Sequence, residues 1–332
     1  MEYNEKKELI KIITILMSII LFGIILNNYL TSPTKAYEAL DNYLKKTYGE
    51  EFVIDFLGER EIGYEARRIF PKRYLGTSKE YDSYYWGRGF VESVGRKFEA
   101  GDTYGKVLLN ESANNFYLPK LKELFGENVL PILNVEGQYD EIEFSKEMEI
   151  RLKFYKKKPD LNYFPLSGVI YIFGRVENDK DREWYRKQIY EFVQFMKQTE
   201  TFEYVDLGVV IWDERVLSEE FRTNEDLRKA ILVARNMIDD DKKFIKERKR
   251  LMKQTDESMK KLTKKEKDKV LNSYIKSDIY GVGNRSDEIF VYNMLLGMKI
   301  YSPKYIESQG LTHREKTNYE KVEDVKFWSE LY

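Results

Sequence analysis

The stretch NDKDREWYRKQIYEFVQFMKQTETFEYVDLGVVIWDE, residues 178–214, decides the fold class. Its first part is helical by spacing. Tyr185, Ile189, Phe192, Val193 and Met196 recur at intervals of three and four and share one face. Asn178 or Asp179 supplies the N-cap, a side-chain oxygen for the orphaned N–H groups of the first turn. The second part, FEYVDLGVVIWDE, is a run of β-branched and aromatic residues and is expected to be a strand. The unit is therefore a helix followed by a strand.

Working outward, the same order occurs twice more. In SPTKAYEALDNYLKKTYGEEF, residues 32–52, Ser32 is a possible N-cap and Pro33 suits the first helical position. Tyr37, Leu40, Leu44 and Tyr48 fall at helical spacing, and Gly49 suits the C′ position that ends a helix. EFVIDFLG then reads as a strand. In ANNFYLPKLKELFGENVLPILNVEG, residues 113–137, a helix ends near Gly126 and a strand covers Val129 to Val135. Between these units, EIEFSKEMEIRLKFYKKK has period two: the even positions from Ile142 to Phe154 are apolar except Lys146, which predicts a strand with one face in water. LSGVIYIFGRV, residues 166–176, reads as a more deeply buried strand. Together these predict an α+β body with an antiparallel-rich mixed sheet and packed helices.

At the N-terminus, IKIITILMSIILFGIIL spans residues 10–26. From Leu9 to Leu30 the one charge is Lys11, and the apolar side chains surround the whole helical wheel, so no amphipathic stripe exists. A helix of this length crosses a hydrocarbon core of about 30 Å. The expectation is an N-terminal transmembrane helix built on Ile10, Ile12, Leu16, Leu21, Phe22 and Leu26, which meets the lipid bilayer through residues 9–30. A cleaved signal is the rival, but NNYLTSPTKA lacks a small-residue cleavage pattern. Lys6, Lys7 and Lys11 before the span against Lys35 and Lys45 after it favour a single-pass protein of the cell membrane, N-terminus inside and body outside. The expected organisation is an anchor over 1–30, subdomains over 31–135 and 136–238, and a charged helical segment with a docking tail over 239–332.

Composition narrows the chemistry. The 332 residues contain no Cys, which excludes disulfides, thiol catalysis, Cys-ligated metals and a lipoprotein anchor. His313 is the single His and lies in the polar run GLTHREKTNYEK, so a surface role fits it better than a catalytic one. The 56 basic and 57 acidic residues nearly cancel, and no global field points to nucleic acid. No cofactor or metal is expected. Asp239, Asp240 and Asp241 point different ways on a helix and suit its N-terminus better than a metal. SMKK (258–261) and SYIK (273–276) match a serine-nucleophile pattern by chance in a Lys-rich chain, and YGVGN (280–284) lacks the G-K-[ST] of a phosphate loop.

Residues 239–276 carry fourteen basic and eight acidic residues. Ile245, Met252, Met259 and Leu262 give a thin apolar seam, so a long solvated helix or helical hairpin is expected there. The sharper alternative is a surface for anionic lipid, wall polymer or nucleic acid. The C-terminal VEDVKFWSELY looks like a short segment that docks Phe327, Trp328 and Leu331.

KEYDSYYWGRGF, residues 79–90, is the densest aromatic cluster. Tyr84, Tyr85 and Trp86 with Asp82, Glu80 and Arg88 could stack on a sugar or hold a peptide stem. The same residues would equally serve as a Tyr-rich strand and turn in the core.

The opening LDNYLKKTYGEEFVIDF, residues 40–56, resembles the start of the globular part in uncharacterised exported proteins and lipoproteins of low-GC bacteria. The resemblance covers roughly 20 residues at a helix–strand unit of ordinary type. It implies an envelope location and no activity. The function expected from all this is binding of a protein partner or envelope component by a membrane-anchored, extracytoplasmic body. The alternatives are an envelope hydrolase with paired carboxylates, or a cytoplasm-facing scaffold or immunity-type inhibitor.

Overall fold

The computed structural model describes residues 11, 13–23, 33–94, 97–135, 165–216, 242–268, 294–311 and 317–331. The fold is α+β, with two four-stranded sheets and their helices. The chain divides into two compact units, Met1–Gly105 and Lys106–Tyr332.

The expected transmembrane helix is not supported. Among the described residues, no helix is long and apolar enough to cross a membrane. Leu16, Leu21 and Phe22 lie on the described helical residues 13–23. Ile10, Ile12 and Leu26 lie outside the described residues. The single-pass cell-membrane placement, with its inside N-terminus and outside body, rested on that span and falls with it.

The first unit opens with α1 (Pro33–Tyr48), whose buried face is Ala36, Leu40, Leu44 and Tyr48, four residues apart at each step. Tyr37 is turned outward instead, at 42% exposure. Gly49 closes the helix at φ 70, and its N–H donates to the Lys45 carbonyl at 2.9 Å. Strands β1 (Phe52–Arg60), β2 (Gly63–Pro71), β3 (Gly87–Val94) and β4 (Lys97–Asp102) follow as an antiparallel meander in that spatial order. Tyr48, Phe52 and Tyr104 pack ring to ring at 4.9 to 5.4 Å between centroids. The Tyr48 hydroxyl donates to Asp102 Oδ1 at 2.8 Å. Burial and that carboxylate push the neighbouring Tyr43 hydroxyl up to about 12.

In the second unit, α2 (Tyr104–Phe125) leads to β5 (Val129–Val135), β6 (Pro165–Gly174), α3 (Asp179–Gln198), β7 (Tyr204–Asp213), α4 (Lys242–Lys260), β8 (Met294–Tyr301), α5 (Pro303–Ser308) and α6 (Trp328–Leu331). The sheet order is β5-β6-β7-β8. The central β6–β7 pair is parallel and is joined through α3; both outer pairs are antiparallel. The central strands are buried on both faces, with Ile170 and Ile172 on one side and Val169, Tyr171 and Phe173 on the other. That is why they read as continuous apolar runs rather than alternations. Asn178 caps α3 by accepting from Lys180 N and Asp181 N, and Asp181 returns the bond to the cap. The period-two stretch over 142–154 lies outside the described residues, as do Asp239 to Asp241, Ser273 to Lys276, Gly281 and His313.

Edge strand β5 is closed by α2. Leu133 N donates to Asn114 Oδ1 at 3.0 Å and Val135 N to Asn110 Oδ1 at 2.8 Å. Two residues along a strand and one helical turn advance by similar distances, so asparagines four apart meet amides two apart. Pro131, two residues earlier, has no amide to satisfy. We expect Asn110→Leu to lower the stability of this unit by about 2 kcal/mol, since it strips the acceptor from a buried amide. Urea unfolding measures it, and a loss below about 0.5 kcal/mol, the level of ordinary surface changes, would count against the bond.

Helix α4 buries Leu251 and Thr255, while Met252, Met259 and the following Leu262 are half-buried. Of the expected seam, the Ile245 side chain lies outside the described residues, and the buried positions of α4 are Leu251 and Thr255 rather than Met252 and Met259.

Candidate functional site

The aromatic cluster of residues 79–90 is folded into two single-turn 3-10 helices, Ser78–Glu80 and Ser83–Tyr85, and the start of β3. Asp82 is buried and caps the second turn by accepting from Tyr84 N at 3.0 Å. Glu80 accepts from Gly76 N at 2.6 Å. Tyr85 is buried edge-on between Tyr74 and Tyr84, with Lys79 Nζ 4.4 Å above its ring. Trp86 donates its indole N–H to the Glu80 carbonyl at 3.1 Å, and the Arg68 guanidinium lies 4.9 Å over its ring. Arg88 is exposed, with Glu65 at 3.6 Å. Asp82, Tyr84, Tyr85 and Trp86 are thus brought together, whereas Arg88 forms its ion pair with Glu65 of β2. Both acids are held by backbone donors of their own turns.

A larger concavity lies in the second unit. It is a cleft of about 760 Å³ lined by Lys197, Glu200, Phe202, Glu203, Pro303, Lys304 and Asn318. Its first wall is the end of α3. Glu200 N donates to Lys197 O at 3.0 Å and Thr201 N to Met196 O at 2.8 Å, the paired bonds of a Schellman motif. The C′ position of that motif needs a left-handed residue, and here Glu200 takes it at φ 57. A side chain with a Cβ costs about 1–2 kcal/mol in that region. The strained turn places a carboxylate where glycine would place nothing.

The second wall is stitched by Ser302. Its hydroxyl donates to Glu203 O at 2.7 Å and accepts from Val205 N at 2.9 Å, while Ser302 N donates to Val205 O at 3.0 Å. These bonds pin the end of β8 to the start of β7. Ser302 also caps α5, with Pro303 at the first helical position. Lys304 forms an ion pair with Glu203 across this wall. That hydrogen bond holds the Lys304 ammonium above its usual range, so it stays charged.

The third wall is the tail. Tyr319 sits at φ 50, and its carbonyl accepts from Gln194 Nε2 at 2.9 Å and Lys197 Nζ at 3.2 Å. Its buried ring meets Phe202 edge-on at 5.7 Å. Two of the three non-glycine residues with positive φ in the described chain therefore belong to, or adjoin, this cleft.

Phe202 and Pro303 give the cleft an apolar floor. Two lysines and two glutamates cancel at its rim. Among the described residues, no group of three His, Cys, Asp or Glu is placed to hold a metal ion. The arrangement suits a ligand with an apolar group and polar groups of both signs. None of these lining residues stood out in the sequence. The one available signal was a helix ending in KQTETF, with no glycine where the reversal of direction needs one.

No family model and no curated protein matches this chain. Among solved structures, a DUF5037 family protein from Ruminococcus gnavus is similar at 16% identity, covering 54% of this chain and 75% of that one, with a TM-score of 0.33.

Proposed function

We propose that this chain is a binding protein and that the cleft between α3, α5 and the tail holds a short segment of a partner protein. The observation that carries this reading is the strained frame: Glu200 and Tyr319, both left-handed, set the rim around an apolar floor. Backbone strain of this kind persists where surrounding structure enforces it, and it gathers at ligand clamps. A charge-neutral, half-apolar cleft complements a peptide better than a small anion or a nucleic acid.

A photo-crosslinking amino acid placed at Asn318 in living cells tests the reading. We expect one discrete protein adduct, reduced at least several-fold by Lys304→Glu, which reverses one rim charge. The same probe at exposed Lys180, at the far end of α3, serves as control. Absence of a protein adduct at position 318, or the same adducts from position 180, would remove the support for this site.

A further inference from the structure

Strand β4 is an open edge of the sheet in the first unit. Thr103 N donates to Arg88 O at 2.9 Å, so this pair is of the hydrogen-bonded type. Antiparallel pairs alternate, and steps of two make Phe90–Gly101, Glu92–Glu99 and Val94–Lys97 the bonded pairs. Phe98 and Ala100 consequently turn their N–H and C=O groups away from β3. Among the described residues, no hydrogen bond reaches either group. Strand β4 has no proline, and its pairing with β3 runs without a shift in register. Two of the other three outer strands are blunted: β5 by Asn110 and Asn114, and β1 by Phe56, whose φ of 57 breaks its run of paired residues.

The side chains of this edge are self-complementary. The register sets Glu92 directly opposite Glu99, a like-charge pair that destabilises a sheet. Arg60 lies 3.9 Å from Glu92. Beside them is a depression of about 380 Å³ lined by Arg60, Phe90, Glu92, Glu99, Ala100 and Gly101, with one net negative charge. Arg60 balances only one of the two carboxylates, and Lys97, exposed two residues from Glu99, has the same orientation as Glu99.

We propose that two copies of this chain join edge to edge through β4, antiparallel about a two-fold axis through Phe98. In that register Phe98 meets Phe98 of the second copy, and its outward N–H and C=O are exchanged with their counterparts. Lys97 faces Glu99 of the second copy, and Glu99 faces Lys97. Each ammonium then enters the acidic depression and relieves the Glu92–Glu99 opposition. The two meanders become one continuous sheet, an isologous contact with the same residues on both sides. The proposal is independent of the cleft in the second unit.

Sedimentation velocity of the full chain, over a series reaching high micromolar concentration, tests it. The wild type is expected to dimerise. Lys97→Glu alone and Glu99→Lys alone each place like charges opposite and should be monomeric, with association weakened at least tenfold. Mixing these two variants should give a heterodimer. The Lys97→Glu chain then offers a carboxylate at both positions, and the Glu99→Lys chain offers an ammonium group opposite each. The double variant Lys97→Glu/Glu99→Lys should dimerise by itself. Both positions lie at the solvent-facing edge, so circular dichroism is expected to show an unchanged fold. A monomeric wild type, a dimer indifferent to both reversals, or a mixture that stays monomeric would each overturn the proposal.

Discussion

Arg186→Ala should release the C-terminal tail and destabilise the second unit by about 2 kcal/mol, the scale of losing a charged donor to the buried Val325 carbonyl, with the partly exposed Glu330 adding less. Arg186 is 6% exposed on α3. Its guanidinium donates to the Val325 carbonyl and to both Glu330 oxygens, one at 3.1 Å, and lies 5.1 Å over the Phe327 ring. The same helix face continues the grip. The Tyr190 hydroxyl donates to Glu320 O at 3.2 Å, and Gln194 and Lys197 donate to Tyr319 O. These four positions are spaced by four, four and three, so one stripe of α3 reads the carbonyls of an antiparallel strap. Val325, Phe327 and Trp328 fill the core behind it, and Trp328 lies where any side chain on Gly297 of β8 would stand. Without Arg186, the Val325 carbonyl and the Glu330 carboxylate lose their shared donor. Thermal unfolding and limited proteolysis after residue 311 measure the effect. A loss under 1 kcal/mol with an unchanged cleavage pattern would show that the apolar anchors hold the tail unaided.

The pair also sets an acid limit. Burial pushes the Glu330 carboxyl up, but the Arg186 hydrogen bond, the Phe327 amide and the Arg186 charge outweigh it, and the net direction is down. A carboxyl lowered in the folded state contributes stability above its unfolded value of about 4.3, and that contribution is lost as pH falls through the folded value. The tail is therefore expected to loosen below about pH 4 in the wild type, and Glu330→Gln should lack that step.

What the sequence revealed follows from how local each cause is. Helix α3 was legible because its buried face, cap and period lie within one stretch, and Tyr185, Ile189, Phe192, Val193 and Met196 are all buried. Arg186 was not, because a charged residue beside an apolar stripe looks solvated until Glu330 arrives from 144 residues away. Phe327 and Trp328 do dock as expected, whereas Leu331 is 50% exposed. The tyrosine-rich turn at 79–86 shows the converse. Its aromatics were conspicuous, yet Asp82 and Tyr85 are buried among their neighbours by short-range hydrogen bonds and ring contacts. The cleft escaped notice because Lys197, Asn318 and Pro303 meet only through the β7–β8 pairing and the strap. The apolar run at residues 10–26 was read from its length and hydropathy, whereas among the described residues no helix is long and apolar enough to cross a membrane.

Gly168→Ala is expected to be among the most damaging single-methyl changes at the described glycines, in a class with Gly63→Ala. Gly168 lies in β6 at φ 130, a region that residues with a Cβ rarely adopt. A Cβ there would stand 2.2 Å from the Ile132 carbonyl oxygen and 3.0 Å from Leu133 Cα, both backbone atoms of the paired strand β5. Neither can retreat while Gly168 is paired with Leu133 on one side and Leu207 on the other. The strain alone is about 1–3 kcal/mol. With the steric conflict added, the loss should reach about 4 kcal/mol or more, a large part of the stability of an ordinary domain. Gly126→Ala separates the two causes. Gly126 has φ 84 at the end of α2, and its added Cβ would meet nothing within 4 Å. That variant should cost only about 1 kcal/mol, from backbone conformation alone. Urea unfolding of both variants gives the comparison. Equal losses would mean that β5 can shift away from β6, and that the close approach at Gly168 does not set the register of the sheet.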